Sequence, residues 1–477
     1  MRGRQPFAGE PHAVVVLPES DPTLGGEREL LELERAEFEA ELGTTVELVS
    51  VDPGEGPRWS LVLDVEHVGP PTTELDADAR LIASSARDVG GLFEAMGLLR
   101  TMVRTGDRLL EVGDCADIGD AIERVVDEVG DTYPSFALRR LDWEEICARH
   151  VDRVREADDP LPALQAWMAE LQDGHTWVWP SMANLPYAVH VAAVTTFVRV
   201  RDDTAGYEAG VRVGWELVAI DGVSVDASEW LARAAAPPHS RPFIAGRRLL
   251  AGPVGVPRVL SARSPAGETV TWSDAPSPLP PGDVVTWKRL DSGAGYLRVA
   301  VWVAGQGVAE AIDDALEELS ACDRLVLDLR GNPGGDLVLA SKTRARFLRE
   351  RTPLGSIRYS IGAGELSDPF LLVGEPAPAE KRWPGRLVVL TDQLTFSSSE
   401  DFLLGLQGLE HVTVVGQPSG GGSGRARSLR LLPGMTLTVS TALTYDRDGH
   451  CVEGAGIPVD VAASGYDEDV LALAEQL

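Results

Sequence analysis

Two stretches in the last third of the chain, "DRLVLDLRGNPGGDLVLASKTRARFL" (323–348) and "RLVVLTDQLTFSSSEDFLLGL" (386–406), share one plan. Each opens with a leucine- and valine-rich run, passes through a turn rich in small polar residues, and ends in apolar residues at helical spacing. A run that is apolar on both faces needs cover on both sides. Strands alternating with helices provide it in a largely parallel, helix-covered sheet. "AGYLRVAVW" and "GVAEAIDDALEELS" add a strand and a helix to the same core, and the strands and turns of "VTVVGQPSGGGSGRARSLRLLPGMTLTVSTALTYDRDGHCVEGAGIPVDV" close it.

The second stretch carries Ser397, Ser398 and Ser399 at its strand-to-helix junction. Ser397 followed by Glu400 fits a capping box, in which a serine hydroxyl and a glutamate carboxylate satisfy first-turn N–H groups. The same position exposes a hydroxyl at the positive end of a helix, where developing negative charge is stabilised. Locally, cap and nucleophile are both open. In the first stretch, "VLDLRGNPGG" lacks the Gly-Lys-Ser/Thr ending of a phosphate loop and the spacing of a dinucleotide fingerprint. Its glycines suit an anion nest, in which backbone N–H groups converge on one point.

Earlier segments differ in character. Residues 1–112 alternate strands ("HAVVVLP", "TTVELVSV", "WSLVLDVE", "ARLIASSA") with helices ("GERELLELERAEFEAEL", "VGGLFEAMGLLRTMV") and predict a small α/β domain of unknown role. Its last part is similar to the non-catalytic α/β domain that precedes the barrel in hexosaminidases, and no carbohydrate activity follows. Residues 113–182 read as helical, with Ile118, Ile122, Val125, Val126 and Val129 on one face, and end in Asp173-Gly174-His175-Thr176. Residues 183–278 hold short alternating strands around "AGYEAGVRVGWELVAIDGVSV", and "SDAPSPLPPGD" reads as the linker out to a core over 279–477.

Composition narrows the function. A net charge of −31 argues against nucleic-acid or anionic-membrane partners, which demand a basic surface. No apolar run approaches a membrane span or a signal-peptide core, so a cytoplasmic location is expected. The four cysteines are far apart, and neither C-x-x-C nor H-E-x-x-H occurs. Reduced thiols and no cofactor or catalytic metal are the expectation. Lysine is scarce: Lys288, Lys342 and Lys381 are the complete set, and none follows Ser397.

Taken in order, "ELQDGHT", "AGYEAGVRVGWELVAIDGVSV", "LVLDLRGNPGG", "TFSSSEDF", "VVGQPSGGG" and "VEGAGIPVD" resemble the tail-specific, or C-terminal processing, serine peptidases and their tricorn-like relatives, from about Asp117 to Asp460. The resemblance implies an α/β, crotonase/Clp-like peptidase core with an inserted PDZ-like β domain that recruits peptides by strand addition, a helical segment and the N-terminal α/β domain. It places the nucleophile at Ser397 and the oxyanion donors at the N–H groups of Ser398 and Gly335. Many members use a lysine about 25 residues after the serine, but that position here is Gly422. The tricorn-like branch uses a histidine, and His175 matches it; His411 and His450 are rivals without such a match. Glu453 matches that branch's orienting glutamate, which acts through a serine beside the histidine. Gly174 stands there instead, leaving direct contact, a water, or binding of the substrate amine as roles for Glu453. Hydrolysis of peptides or proteins is the function implied. A non-catalytic hydrophobic-ligand or peptide-binding protein on the same fold is the alternative, and an esterase using the same residues is a third.

Overall fold

The computed structural model describes five backbone strands within residues 13–86, and residues 114–180, 182–278, 284–303, 307–362, 364–422, 424–463 and 468–477. It divides the chain into two units, 1–113 with 358–370 and 114–357 with 371–477. In the first unit, strands Val46–Val49, Ala13–Val16, Trp59–Leu63, Leu81–Ala86 and Thr72–Asp76 lie side by side in that order. All neighbours are parallel except the last pair. Four of these strands coincide with the runs singled out in the sequence; the half-polar Thr72–Asp76 was not among them. The helices expected here lie outside the described residues.

The second unit is built around a six-stranded sheet in the order Val285–Arg289, Gly295–Val299, Arg324–Asp328, Arg386–Thr391, Val412–Gly416, Val461–Ala462. Only the first pair is antiparallel. Leu325, Val326, Leu327, Leu387, Val388, Val389 and Leu390 are buried on both faces, as a helix-covered parallel strand requires. Arg324–Asp328 and Arg386–Thr391 pair in register, with Asp328 opposite Leu390. Their following turns therefore emerge side by side at the carboxyl end of the sheet, where open α/β sheets present ligand sites.

Helices Ile118–Thr132, Phe136–Arg139, Trp143–Arg155 and Pro160–Ala169 form the helical segment. Three start at capping aspartates, Asp117, Asp142 and Asp159, whose carboxylates accept first-turn N–H groups. Their apolar faces, including Val125, Val129, Val154 and Trp167, bury against a three-stranded antiparallel sheet of Arg427–Arg430, Met435–Val439 and Trp177–Pro180. The strand that follows His175 is thus zipped onto the C-terminal part, with Val178 opposite Leu437. That pairing carries the Asp173–Thr176 turn across to the core.

Residues 183–278 fold mainly as an antiparallel sheet in the order Thr269–Asp274, Arg258–Arg263, Glu216–Ile220, Thr196–Val200, Tyr187–His190. Phe197, Leu217, Leu260 and Trp272 form its interior. Helix Arg241–Leu249 starts against the core: Ser240 Oγ donates to the Gly420 carbonyl at 2.9 Å, and His239 Nε2 lies 2.9 Å from the Ser419 carbonyl. No helix of the described residues is long and apolar enough to cross a membrane.

Candidate active site

The three serines have three different surroundings. Ser399 is fully buried and its hydroxyl accepts the Trp302 indole N–H at 2.9 Å. The Ser398 hydroxyl donates to the Gly335 carbonyl at 2.7 Å. Ser397 Oγ is 2.9 Å from His175 Nε2, a contact between residues 222 positions apart.

Ser397 has φ +57° and ψ −123°, one of four non-glycine residues among those described with positive φ. A side chain there costs on the order of 1–3 kcal/mol, so the surroundings must enforce it. They do so through Glu400. Its Oε2 accepts Ser397 N–H and Gly422 N–H at 2.9 Å each; its Oε1 accepts the Ser419 hydroxyl at 2.6 Å and Gly421 N–H at 2.8 Å. The glutamate half of the expected capping box is present, and the same carboxylate also holds the 419–422 loop. Burial pushes the Glu400 carboxyl up to about 7, against these four hydrogen bonds.

The glycine-rich turn lies beside the serines. Asn332, with no exposed surface, donates from Nδ2 to the Val299 carbonyl, accepts Gly334 N–H on its side-chain oxygen, and accepts Phe396 N–H on its carbonyl. It fastens the turn to the residue just before Ser397. The Gly334 carbonyl accepts Trp302 N–H at 3.0 Å. In a trans peptide the next N–H, that of Gly335, points the opposite way. A Cβ on Gly334 would lie 2.6 Å from Ser397 Cβ and 2.8 Å from Ser398 N, so its absence keeps open the space beside the Ser398 N–H. Gly335 has φ +123°, and a Cβ there would lie 1.9 Å from the Trp302 carbonyl oxygen. Both positions require glycine. Ser398, at the first position of its helix, has no preceding turn to accept its N–H. Among the described residues neither that N–H nor the N–H of Gly335 donates to the protein.

His175 sits in a turn organised by Asp173, which is fully buried. Asp173 Oδ1 accepts His175 N–H at 2.7 Å, and Oδ2 accepts the hydroxyls of Thr176 at 3.1 Å and Ser440 at 2.6 Å. Burial lowers the imidazole pKa below the ordinary histidine value, and the Asp173 charge partly offsets this. One face of the ring packs on Phe396, with centroids 4.7 Å apart. Its Nδ1 is buried and has no hydrogen-bond partner among the described residues.

Glu453 is not on that nitrogen. It is buried and paired with Arg139, Nη2 to Oε1 2.6 Å. A relay serine in place of Gly174 would crowd Phe396, since a Cβ there falls 2.5 Å from the ring Cζ. The loop at the family's lysine position is closed more firmly, for a Cβ on Gly422 would lie 1.8 Å from the same atom. Lys288, Lys342 and Lys381 are all exposed. The rival histidines have other partners: His411 Nε2 lies 2.9 Å from the Phe347 carbonyl, and exposed His450 pairs with Asp446. Asp173, Arg139, Asn332 and Phe396 were not singled out from the sequence. Only Asp173, two residues before the histidine, left a local signal, as an Asx-type turn former.

Among the described residues, one group has ligand-type atoms within 4.8 Å of one another, Asp446, Asp448 and His450. Asp446 already accepts the N–H groups of Asp448 and His450, so an ordinary turn accounts for the cluster. Burial pushes the Cys147 and Cys451 thiols up to about 11, away from nucleophilic use.

Residues 293–463 match the family model described as peptidase family S41. That match and the relatives below support a tail-specific S41 peptidase family. A carboxyl-terminal-processing protease of Synechocystis sp. is 29% identical over 355 residues, covering 70% of this chain and 78% of that protein. Another, from Picosynechococcus sp., is 32% identical over 160 residues, covering 32% of this chain and 36% of that protein. Among solved structures, mature CPAF complexed with lactacystin aligns with a TM-score of 0.55 at 15% identity, over 75% of this chain and 96% of that one, a likeness of fold. The chain is a serine-type peptidase of α/β fold.

Proposed function

We propose that this S41 peptidase cleaves peptide bonds with Ser397 as nucleophile and His175 as its base. The observation that carries the reading is the 2.9 Å contact between Ser397 Oγ and His175 Nε2. Ser397 Oγ attacks the scissile carbonyl carbon as its proton passes to Nε2. The carbonyl oxygen becomes an oxyanion received by the N–H groups of Ser398 and Gly335. Collapse breaks the C–N bond, and the amine leaves with the proton from His175. Water, deprotonated by the same imidazole, then releases the acyl group and restores Ser397.

Three features support this division of labour. The strained backbone of Ser397 thrusts its hydroxyl out of the helix start, while Ser398 and Ser399 spend theirs on Gly335 and Trp302. The two proposed oxyanion donors belong to segments tied together by the Ser398–Gly335 hydrogen bond. All three lysines are exposed, and none touches Ser397. Glu453 acts at one remove in this reading, holding Arg139 in the helical segment that presents His175. Peptide recruitment falls to the β domain, whose cavity of about 370 Å³ lies between strand Glu216–Ile220 and helix Ala227–Ala232 and is lined by Val194, Thr195, Leu217 and Val225.

A fluorophosphonate probe tests the nucleophile. It should label wild type at one site, Ser397, and leave Ser397→Ala unlabelled. Labelling of Ser397→Ala, or of a different serine in wild type, contradicts the reading.

A further inference from the structure

The chain spends three glycines on one aromatic ring. A Cβ at Gly174 would fall 2.5 Å from Phe396 Cζ, one at Gly420 2.6 Å from Cδ2, and one at Gly422 1.8 Å from Cζ. None of the three has φ in the left-handed region, unlike Gly421 between two of them at +81°. Their backbones would accept alanine, so at Gly174 and Gly422 the ring, and not the chain path, is what excludes a side chain; at Gly420 the Gln393 carbonyl oxygen, 2.7 Å from such a Cβ, excludes it together with the ring. Gly174 comes from the turn of His175, while Gly420 and Gly422 come from the loop that Glu400 ties to Ser397. The socket is therefore assembled from both sides of the serine–histidine contact.

That ring packs against the imidazole, 4.7 Å between centroids and tilted by 30°. In a Ser-His-Asp arrangement a carboxylate on Nδ1 fixes the tautomer and the plane of the histidine. Here Nδ1 is buried without a partner among the described residues, and the candidate carboxylates are engaged elsewhere: Asp173 with backbone and hydroxyl donors, Glu453 with Arg139. A hydrogen bond at Nε2 alone leaves the ring free to swing about it. Packing must supply the missing constraint.

We propose that Phe396, seated in the Gly174–Gly420–Gly422 socket, is the positioning residue of His175, fixing the imidazole plane by ring contact where other serine hydrolases use a hydrogen bond to Nδ1. The proposal rests on His175 being the base. Phe396 is covalently next to Ser397, and its N–H is bonded to the Asn332 carbonyl at 3.0 Å. One rigid residue thus sets the histidine relative to both the nucleophile and the glycine-rich turn. The charged groups around the pair are Asp173 on the histidine's own turn, Glu400 on the helix after Ser397, and the Arg139–Glu453 pair from the helical segment and the C-terminal turn. The ring adds the apolar wall that helps hold the imidazole neutral.

The test is a double-mutant cycle between Phe396→Ala and Gly422→Ala on the full chain, measuring kcat, KM and the pH dependence of kcat/KM with a peptide substrate. A base displaced by about 1 Å costs on the order of 10²-fold. Each single variant should therefore lose ~10²-fold in kcat with KM little changed, Gly422→Ala because its methyl drives the ring off the imidazole. In the Phe396→Ala background Gly422→Ala should cost at least tenfold less than in wild type, because nothing is left to displace. The acid limb of Phe396→Ala should move to higher pH as the imidazole is rehydrated. Gly174→Ala crowds the same ring from the histidine's own turn and gives a second cycle if either first variant fails to fold, and Phe396→Leu, which keeps apolar volume, should recover part of the loss. Equal losses from Gly422→Ala in both backgrounds, or full kcat in Phe396→Ala, overturn the proposal. His175→Ala is run alongside: if it stays active the base assignment itself fails, whereas a dead His175→Ala with an additive cycle removes only the role of Phe396.

Discussion

Gly335→Ala tests the oxyanion site where the structure allows the least accommodation. The added methyl would stand 1.9 Å from the Trp302 carbonyl oxygen, which is backbone and is itself bonded to Asp336 N–H at 2.7 Å. No rotamer change relieves that overlap; the 334–336 segment must shift. Alanine at φ +123° adds strain on the order of 1–3 kcal/mol. Any shift that brings φ back to the extended region rotates the peptide plane carrying the Gly335 N–H away from the serine. Loss of one donor to a developing oxyanion costs ~10²–10³ in kcat, so that is the range expected, with KM nearly unchanged. The assay is steady-state hydrolysis of a short chromogenic peptide, with the melting temperature recorded to separate unfolding from misplacement. Ser398→Ala is the milder companion: it removes the 2.7 Å hydrogen bond to the Gly335 carbonyl but leaves both N–H groups. It should cost about tenfold or less, in line with the ~0.5–1.5 kcal/mol of an ordinary hydrogen bond. A folded Gly335→Ala enzyme with kcat within threefold of wild type refutes Gly335 as a donor.

Ser399→Ala should keep most activity yet destabilise the fold by ~1–3 kcal/mol, because it leaves the buried Trp302 indole N–H without an acceptor; denaturant unfolding alongside kcat checks both halves, and a dead but stable variant would shift the nucleophile. The pH profile follows from two groups that must both be deprotonated. His175, held below the ordinary histidine range by burial, must be neutral to act as base, and Glu400, pushed up to about 7, must be ionised to accept four donors. Activity should therefore rise with pH, and once the pH falls below both ionisations log kcat/KM should fall more steeply than one proton allows; a clean one-proton limb removes Glu400 from the account. Replacing Lys288, Lys342 and Lys381 together by arginine should leave kcat nearly intact, since all three side chains are exposed and arginine cannot act as a base near neutrality.

The legible parts of the fold were those whose signal is local. Leu325–Leu327 and Leu387–Leu390 announce buried parallel strands because both faces are apolar, and Ile118, Ile122, Val125, Val126 and Val129 announce a helix because they recur on one face. The glycines at 334 and 335 stand out in "RGNPGG", although what forbids a side chain there, Ser397 in one case and the Trp302 carbonyl in the other, is tertiary. Partnerships made only by folding left no such trace. Arg139 lies on a four-residue helix with nothing to mark it as the partner of Glu453, 314 positions away. Gly174 reads as a lost relay serine until the Phe396 ring is seen filling its space. The β domain likewise reads as a separable peptide-binding module, yet His239 and Ser240 contact the carbonyls of Ser419 and Gly420 in the loop that Glu400 fastens to Ser397. Removing residues 185–277 would therefore disturb that loop and reduce turnover of short substrates as well as long ones.

The central claim is that His175 is the base for Ser397, and the rate of acylation measures it most directly. Single-turnover acylation by an activated ester or peptide, followed at pH ~7.5 in wild type, His175→Ala and the enzyme with all three lysines replaced by arginine, compares the two bases in one experiment. Removal of a triad base elsewhere costs several powers of ten. The account predicts a loss of ~10³-fold or more in His175→Ala and a rate within a few-fold of wild type in the lysine-free enzyme. Rapid acylation in His175→Ala, together with a dead lysine-free enzyme, would contradict it.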